Sequence, residues 1–151
     1  MTAVTMAAVD PEPRRLGTVL NLTAAAAIKA GMVVGILGSD GVSSTVQEHV
    51  TGTTVAPLGV ALYSAAAGSK VAIASVGSIV KVVGAVASSA IDAGTQIMGS
   101  GTTAGGVIAY ADAADAQPFG ELLTGIASAS TPAGCQAYAL IYGPMTVEKG
   151  S

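Results

Sequence analysis

The stretch KVAIASVGSIVKVV, Lys70 to Val83, sets the fold class. Val71, Ile73 and Ser75 alternate with Ala72, Ala74 and Val76. After Gly77-Ser78, Ile79, Lys81 and Val83 alternate with Val80 and Val82. A two-residue period sends successive side chains to opposite faces of a strand. Val and Ile suit that pleated conformation, and a Gly-containing turn between two such runs is a hairpin signal. The stretch is therefore expected to fold as a β-hairpin.

The first half of this stretch ends a block that is written twice in the chain. The first copy reads AAIKAG (26–31), APLGVAL (56–62) and AGSKVAIASVG (67–77). The second reads SAIDAG (89–94), QPFGELL (117–123) and AGCQAYALIYG (133–143). Gly31 and Gly94 are 63 apart, Gly59 and Gly120 are 61, and both Gly68/Gly134 and Gly77/Gly143 are 66. Glycines in one order at near-constant offset indicate a duplicated unit. Further strand candidates are 17–22, 32–37 and 58–63, then 97–98, 107–110, 121–126, 137–142 and 145–147. In 137–142, Tyr138, Leu140 and Tyr142 share one face. Residues 24–27 could begin a helix, but Gly31 arrives too soon for a stable one. The polar run 43–54, which holds His49, reads as a hairpin or an excursion. The expected fold is mostly β: a small β-barrel or sandwich with internal duplication and an extended N-terminal arm. The arm is 1–16. A single β domain, 17–151, is built from two similar halves, about 17–83 and 85–147.

The 51% hydrophobic fraction is made largely of small side chains: 30 Ala and 20 Gly stand beside one Phe and four Tyr in 151 residues. Each strand therefore buries less area than a Leu- or Phe-rich one. Only 10% of residues are charged, against roughly 25% in ordinary soluble domains. From Leu16 to Val147 the charged positions are Lys29, Asp40, Glu48, Lys70, Lys81, Asp92, Asp112, Asp115 and Glu121. The surface must be mostly Ser, Thr, Gly and Ala. Such a surface does not resist docking by charge repulsion, which points to a subunit of an assembly over a quiet monomer. A net charge of −3 argues against nucleic-acid binding, which needs clustered Lys and Arg. Cys135 is the only cysteine and is expected to act as a small hydrophobe on a strand. Mean hydropathy is +0.66. Yet no run of about 18 residues is free of charges, Gly and Pro, so no membrane span is expected. The first residues lack a basic segment followed by an apolar core, so no signal peptide is expected.

Several motif echoes fail on chemistry. GTQIMGSGTT (94–103) has Ser100 where a phosphate loop needs Lys. GSGTTA (99–104) imitates a dinucleotide fingerprint, but Gly105-Gly106 follows where a helix should begin. It is expected to be a mobile glycine-rich loop. Ser78-Ile79-Val80-Lys81 matches S-x-x-K, a pattern that works on one face of a helix. On a strand those two side chains point to opposite faces. His49 has no companion histidine and reads as a solvated loop residue, and Asp112 and Asp115 as solvated loop charges. No catalytic set, cofactor or metal site is expected.

In the arm, Pro11 and Pro13 disfavour helix and bias the residues before them to extended backbone. Val4, Met6 and Val9 give residues 1–9 the propensity to add a strand to an open sheet edge. Arg14 and Arg15 can pair with carboxylates on a partner. These five are the candidate partner-binding residues.

The runs AAIKAGMVVGILGSDG (26–41), PLGVALYSAAAGSKVAIASVGSIVKV (57–82) and AIDAGTQIM (90–98) resemble capsid decoration, or cement, proteins of tailed bacteriophages. The lambda-type head decoration proteins and related small Ala/Gly/Val-rich phage proteins belong to this group. The likeness covers residues 24–107, and more weakly the second copy to Val147. It implies a virion structural protein with no enzymatic activity, made in the host cytoplasm and placed on the outer capsid surface. It implies a homotrimer that clamps the major capsid protein and stabilises the capsid; the arm, on its own residues, is expected to bind that protein or an adjacent copy. Two other classes stay open: a β-structural module of a phage tail, fibre or bacterial surface layer, and a small-ligand enzyme or binding protein.

Overall fold

The computed structural model describes residues 15–36, 45–49, 57–85, 90–101, 103–111, 118–127 and 136–143. These residues form ten strands and no helix. They are β1 (Val19–Ala24), β2 (Val33–Ile36), β3 (Thr45–Glu48), β4 (Pro57–Ala61) and β5 (Lys70–Ala74), then β6 (Ile79–Val83), β7 (Gln96–Gly99), β8 (Val107–Ala109), β9 (Gly120–Leu122) and β10 (Gln136–Ile141). The protein is all-β. β1 to β5 close into a barrel in the order β1-β3-β2-β4-β5. The β1–β3 contact is parallel and the others are antiparallel. β6 to β10 form an antiparallel sheet in the order β6-β10-β9-β7-β8. Its two edge strands meet at one parallel bridge, Gly84 with Val107. The second sheet is thus a ring held shut at one point.

The hairpin expected over 70–83 does not form. Both strands are present, but β5 pairs with β1 and β4, whereas β6 pairs with β10. Gly77, at φ +86, turns the chain from the barrel into the second ring, and its N–H donates to the Ile141 carbonyl at 2.8 Å. Alternation makes a segment a strand but does not choose its neighbour. β1 offers β5 five aligned residues, Val19 to Thr23, and β10 offers β6 five, Gln136 to Leu140. β6 therefore opens the second unit instead of closing the first. The run 43–54 contains a strand, β3, at Thr45–Glu48.

The two units share one hydrogen-bond register. Val60 opposite Ala74 on β4 and β5 corresponds to Glu121 opposite Leu140 on β9 and β10. Val34 opposite Gly59 corresponds to Ile97 opposite Gly120. Leu20 opposite Ile73 corresponds to Val80 opposite Ala139. The isolated bridge Ile28–Ala65 recurs as Ile91–Ile126. The turn glycines recur with their backbone angles: Gly31 and Gly94 at φ +84 and +87, Gly77 and Gly143 at +86 and +86. Residues with positive φ are ordinarily glycine, so the repeated glycines follow from repeated turns.

Strand alternation gives the barrel two buried surfaces. Val34, Ala61 and Ile73 point inward with Ala24, Ile28, Val46 and Val71. Their sequence neighbours Val33, Val60 and Ala74 point outward and join the core of the second ring, which holds Val80, Val82, Ile97, Phe119, Leu122 and Ile141. A strand buried on both faces reads as a continuous apolar run, as MVVGIL does. Phe119, the chain's single Phe, is fully buried in this shared core.

Candidate functional site

Where the chain enters the barrel, residues 15–18 lie along the seam between the two units. Arg15 and Ile79 exchange backbone hydrogen bonds, at 3.4 Å from the Arg15 N–H and 2.9 Å from the Ile79 N–H. The Gly17 N–H donates to Ser78 Oγ at 3.0 Å. The Thr18 N–H donates to the Val76 carbonyl at 2.9 Å, and the Ser75 N–H to the Thr18 carbonyl at 2.8 Å. The backbone passes so close to Val76 and Gly77 that a Cβ on residue 17 would overlap the Val76 carbonyl. This packing leaves three large apolar side chains in solvent: Leu16 at 50% exposure, Val19 at 38% and Val76 at 50%.

The same segment has a second strand edge, on the side away from β5. Thr18 and Ala24 face the β5 side, as their bonds to Val76, Ser75, Ser69 and Gly68 show. By the two-residue period, the backbone groups of Val19, Asn21 and Thr23 face the other way. Thr23 meets β3. Among the described residues none bonds the outward N–H and C=O of Val19 and Asn21. At the equivalent place in the second unit, Ile79 of β6, that edge is taken by Arg15.

A second feature is the joint around His49. It was expected in solvent but is only 4% exposed. Its imidazole lies against Gly99 of β7, so closely that a Cβ there would overlap the ring. Its N–H donates to the Val33 carbonyl at 2.8 Å, its carbonyl accepts from Gly105 at 3.0 Å, and the Val33 N–H donates to the Gly105 carbonyl at 3.0 Å. The glycine-rich segment that imitated a dinucleotide loop is therefore tethered across the seam. The Ser100 N–H donates to the Gly106 carbonyl, and Ser100 Oγ accepts from Thr103 N–H, both at 3.0 Å. Local sequence could not show the tether, because His49 and Val33, which hold Gly105, belong to the other unit. Burial lowers the His49 pKa to about 4.

Of the candidate partner-binding residues, Val4, Met6, Val9 and Arg14 lie outside the described residues, as do Asp112, Asp115 and Cys135. Arg15 is exposed and sits at the seam. Ser78 is fully buried with its hydroxyl on Gly17, while the Lys81 ammonium lies 5.8 Å from the centre of the Tyr138 ring. Among the described residues, no three of His, Cys, Asp and Glu converge as a metal site would require. Sequence reasoning missed the Val19–Asn21 edge. The only signal for it was the offset that makes Val19 the counterpart of Ile79. Against known proteins, the chain matches no family model and no curated sequence.

Proposed function

We propose that this chain is a non-catalytic structural protein that binds the outside of an icosahedral phage capsid and stabilises it by clamping neighbouring capsid subunits. The observation that carries this reading is the likeness of AAIKAG, PLGVAL and AAGSKVAIAS to decoration proteins. Those segments hold the Ile28–Ala65 bridge with its Gly31 turn, β4 and β5. The scarcity of charge supports it independently, since a subunit that buries much of its surface gains from having few ions to desolvate. The fibre or surface-layer reading needs a further unit to stack on the outer face of the second ring. That face carries Gln96 and Glu121 where the barrel carries the buried Val33 and Val60. The test is co-sedimentation of purified protein with expanded and unexpanded heads of the source phage. Saturable binding to expanded heads, with a raised temperature of head disruption, is the expected result. No binding to either form overturns the proposal.

A further inference from the structure

We propose that the β1–β2 and β4–β5 loops of one copy of this chain dock on the β6–β7 and β9–β10 loops of a second copy, with Lys29 of one beside Asp92 of the other. The proposal deepens the decoration reading, on which it rests for the need to self-associate, by naming the surfaces that meet. The two pairs of loops are built alike. Ile28 and Ala65 exchange backbone hydrogen bonds at 2.8 and 2.9 Å, and Ile91 and Ile126 exchange them at 2.8 and 2.7 Å. The Gly31 N–H donates to the Ala61 carbonyl at 2.9 Å, and the Gly94 N–H to the Leu122 carbonyl at 2.7 Å. Lys29 and Asp92 stand at the same place in this frame, between the bridging isoleucine and the turn glycine. The carbonyl of each accepts from the N–H three residues on, that of Met32 or Thr95, at 3.3 Å.

At that shared place the two units carry opposite charges. Residues 25–32 and 62–69 hold a single charged side chain, Lys29, and residues 84–95 and 123–135 hold a single one, Asp92. The Glu48 carboxylate accepts from the Lys29 N–H at 3.2 Å, and Lys70, exposed at the start of β5, offsets that acid. The first pair of loops is thus net positive and the second negative. Each pair also presents one large apolar side chain. In the first, Leu62 packs against the shared core and its neighbour Tyr63 is 46% exposed. In the second, Leu123 is itself 43% exposed; its N–H bonds the Tyr138 carbonyl as that of Leu62 bonds Ala72. Ala26, Ala27, Ala66 and Ala67 in one pair, and Ala93 and Ala127 in the other, are exposed and short, so the facing backbones can come close. The bridges already hold these loops, so docking has little chain to order. Opposite charges at matched positions fix the register of such a contact. Loops of different units meet, which makes the contact heterologous, and copies joined this way close into a ring when the rotation between them allows.

The test uses the purified full-length chain in the absence of heads. Sedimentation velocity follows its mass against concentration, and the wild-type chain is expected to associate. Lys29→Asp sets acidic loops against acidic ones, and Asp92→Lys sets basic against basic; each should weaken association at least tenfold. The double variant, Lys29→Asp with Asp92→Lys, should recover it. So should an equal mixture of the two single variants, in which every contact between unlike chains again joins opposite charges. Leu123→Ser, which keeps both charges, should also weaken association at least tenfold. A wild-type chain that stays monomeric overturns the proposal. So do single variants that associate as the wild type does, or a loss that the mixture fails to restore, which would mean that the two charges act within one chain or through its folding. Each of these failures leaves head binding to be judged by its own assay.

Discussion

His49 carries the clearest consequence of a single side chain. Its imidazole lies against Gly99 of β7, and its backbone is bonded to Val33 and Gly105. The one charged neighbour on its own strand is Glu48, whose carboxylate accepts from the Lys29 N–H at 3.2 Å. Burial disfavours the imidazolium, so the folded pKa falls to about 4 from an unperturbed 6.5. A depressed folded value means that the unfolded chain binds the proton first. The stability held by neutral His49 is therefore complete above pH 6.5 and is lost as the pH falls through 4. Linkage makes the full loss, below both values, roughly 3 kcal/mol. Urea titrations between pH 7 and pH 5 should show this decline, and His49→Asn should flatten it. An unchanged slope in that variant would mean that other groups set the acid limit.

At the scale of the strand, β4 and β9 are built alike and crowded alike. Each has a glycine where the neighbouring strand's carbonyl comes closest: Gly59 against Ala74, and Gly120 against Leu140. A Cβ on Gly120 would stand 2.8 Å from the Leu140 oxygen, and one on Gly59 would overlap the Ala74 oxygen more deeply. Backbone cannot yield as a side chain can, so either substitution forces the pair of strands apart. Gly59→Ala is expected to cost about 1–3 kcal/mol, the usual range for overpacking, and Gly120→Ala less. Urea midpoints of the two variants provide the check, and a larger loss for Gly120→Ala would contradict this ranking. β4 begins at Pro57, opposite a register shift between Val34 and Gly35, a place where a missing N–H is tolerated. The Lys70–Val83 stretch shows the limit of local pattern. Its alternation located β5 and β6, but their longest ladders are with β1 and β10, about fifty residues or more upstream and downstream in sequence.

For the molecule as a whole, the two units are alike in register and unlike in what covers them. The outer face of the barrel, with Val33, Val60 and Ala74, is sealed by the second ring. The corresponding face of that ring bears Gln96, Glu121 and Leu140, and Gln96 Nε2 donates to the Tyr142 hydroxyl at 3.0 Å. Burial raises the Tyr142 pKa, with the Glu121 charge adding to it and the Gln96 bond opposing it. Polar groups at these positions make this face a poor seat for a further apolar unit, as on a capping repeat. Replacing them together, Gln96→Val with Glu121→Val, should recreate the barrel's sticky face. The expected outcome is concentration-dependent association beyond the wild-type mass in sedimentation velocity. Wild-type behaviour in the double variant would show that the polar pair is not what limits stacking.

Strands, turns and duplication could be read from the order of residues alone, because all three are written in short-range terms. Side-chain alternation, Val and Ile content and glycine at positive φ act within a few residues, and their repetition at near-constant offset survives in the registers of the two units. Composition also marked residues 1–16 as different in kind from the rest of the chain. The choice of strand neighbours came from the folded molecule instead. Folding assigned β6 to the second ring, buried His49 against Gly99 and tethered the Gly99–Gly106 segment. Each of these depends on contacts between residues far apart in the chain, where the free energy of burial and backbone pairing overrides any local preference.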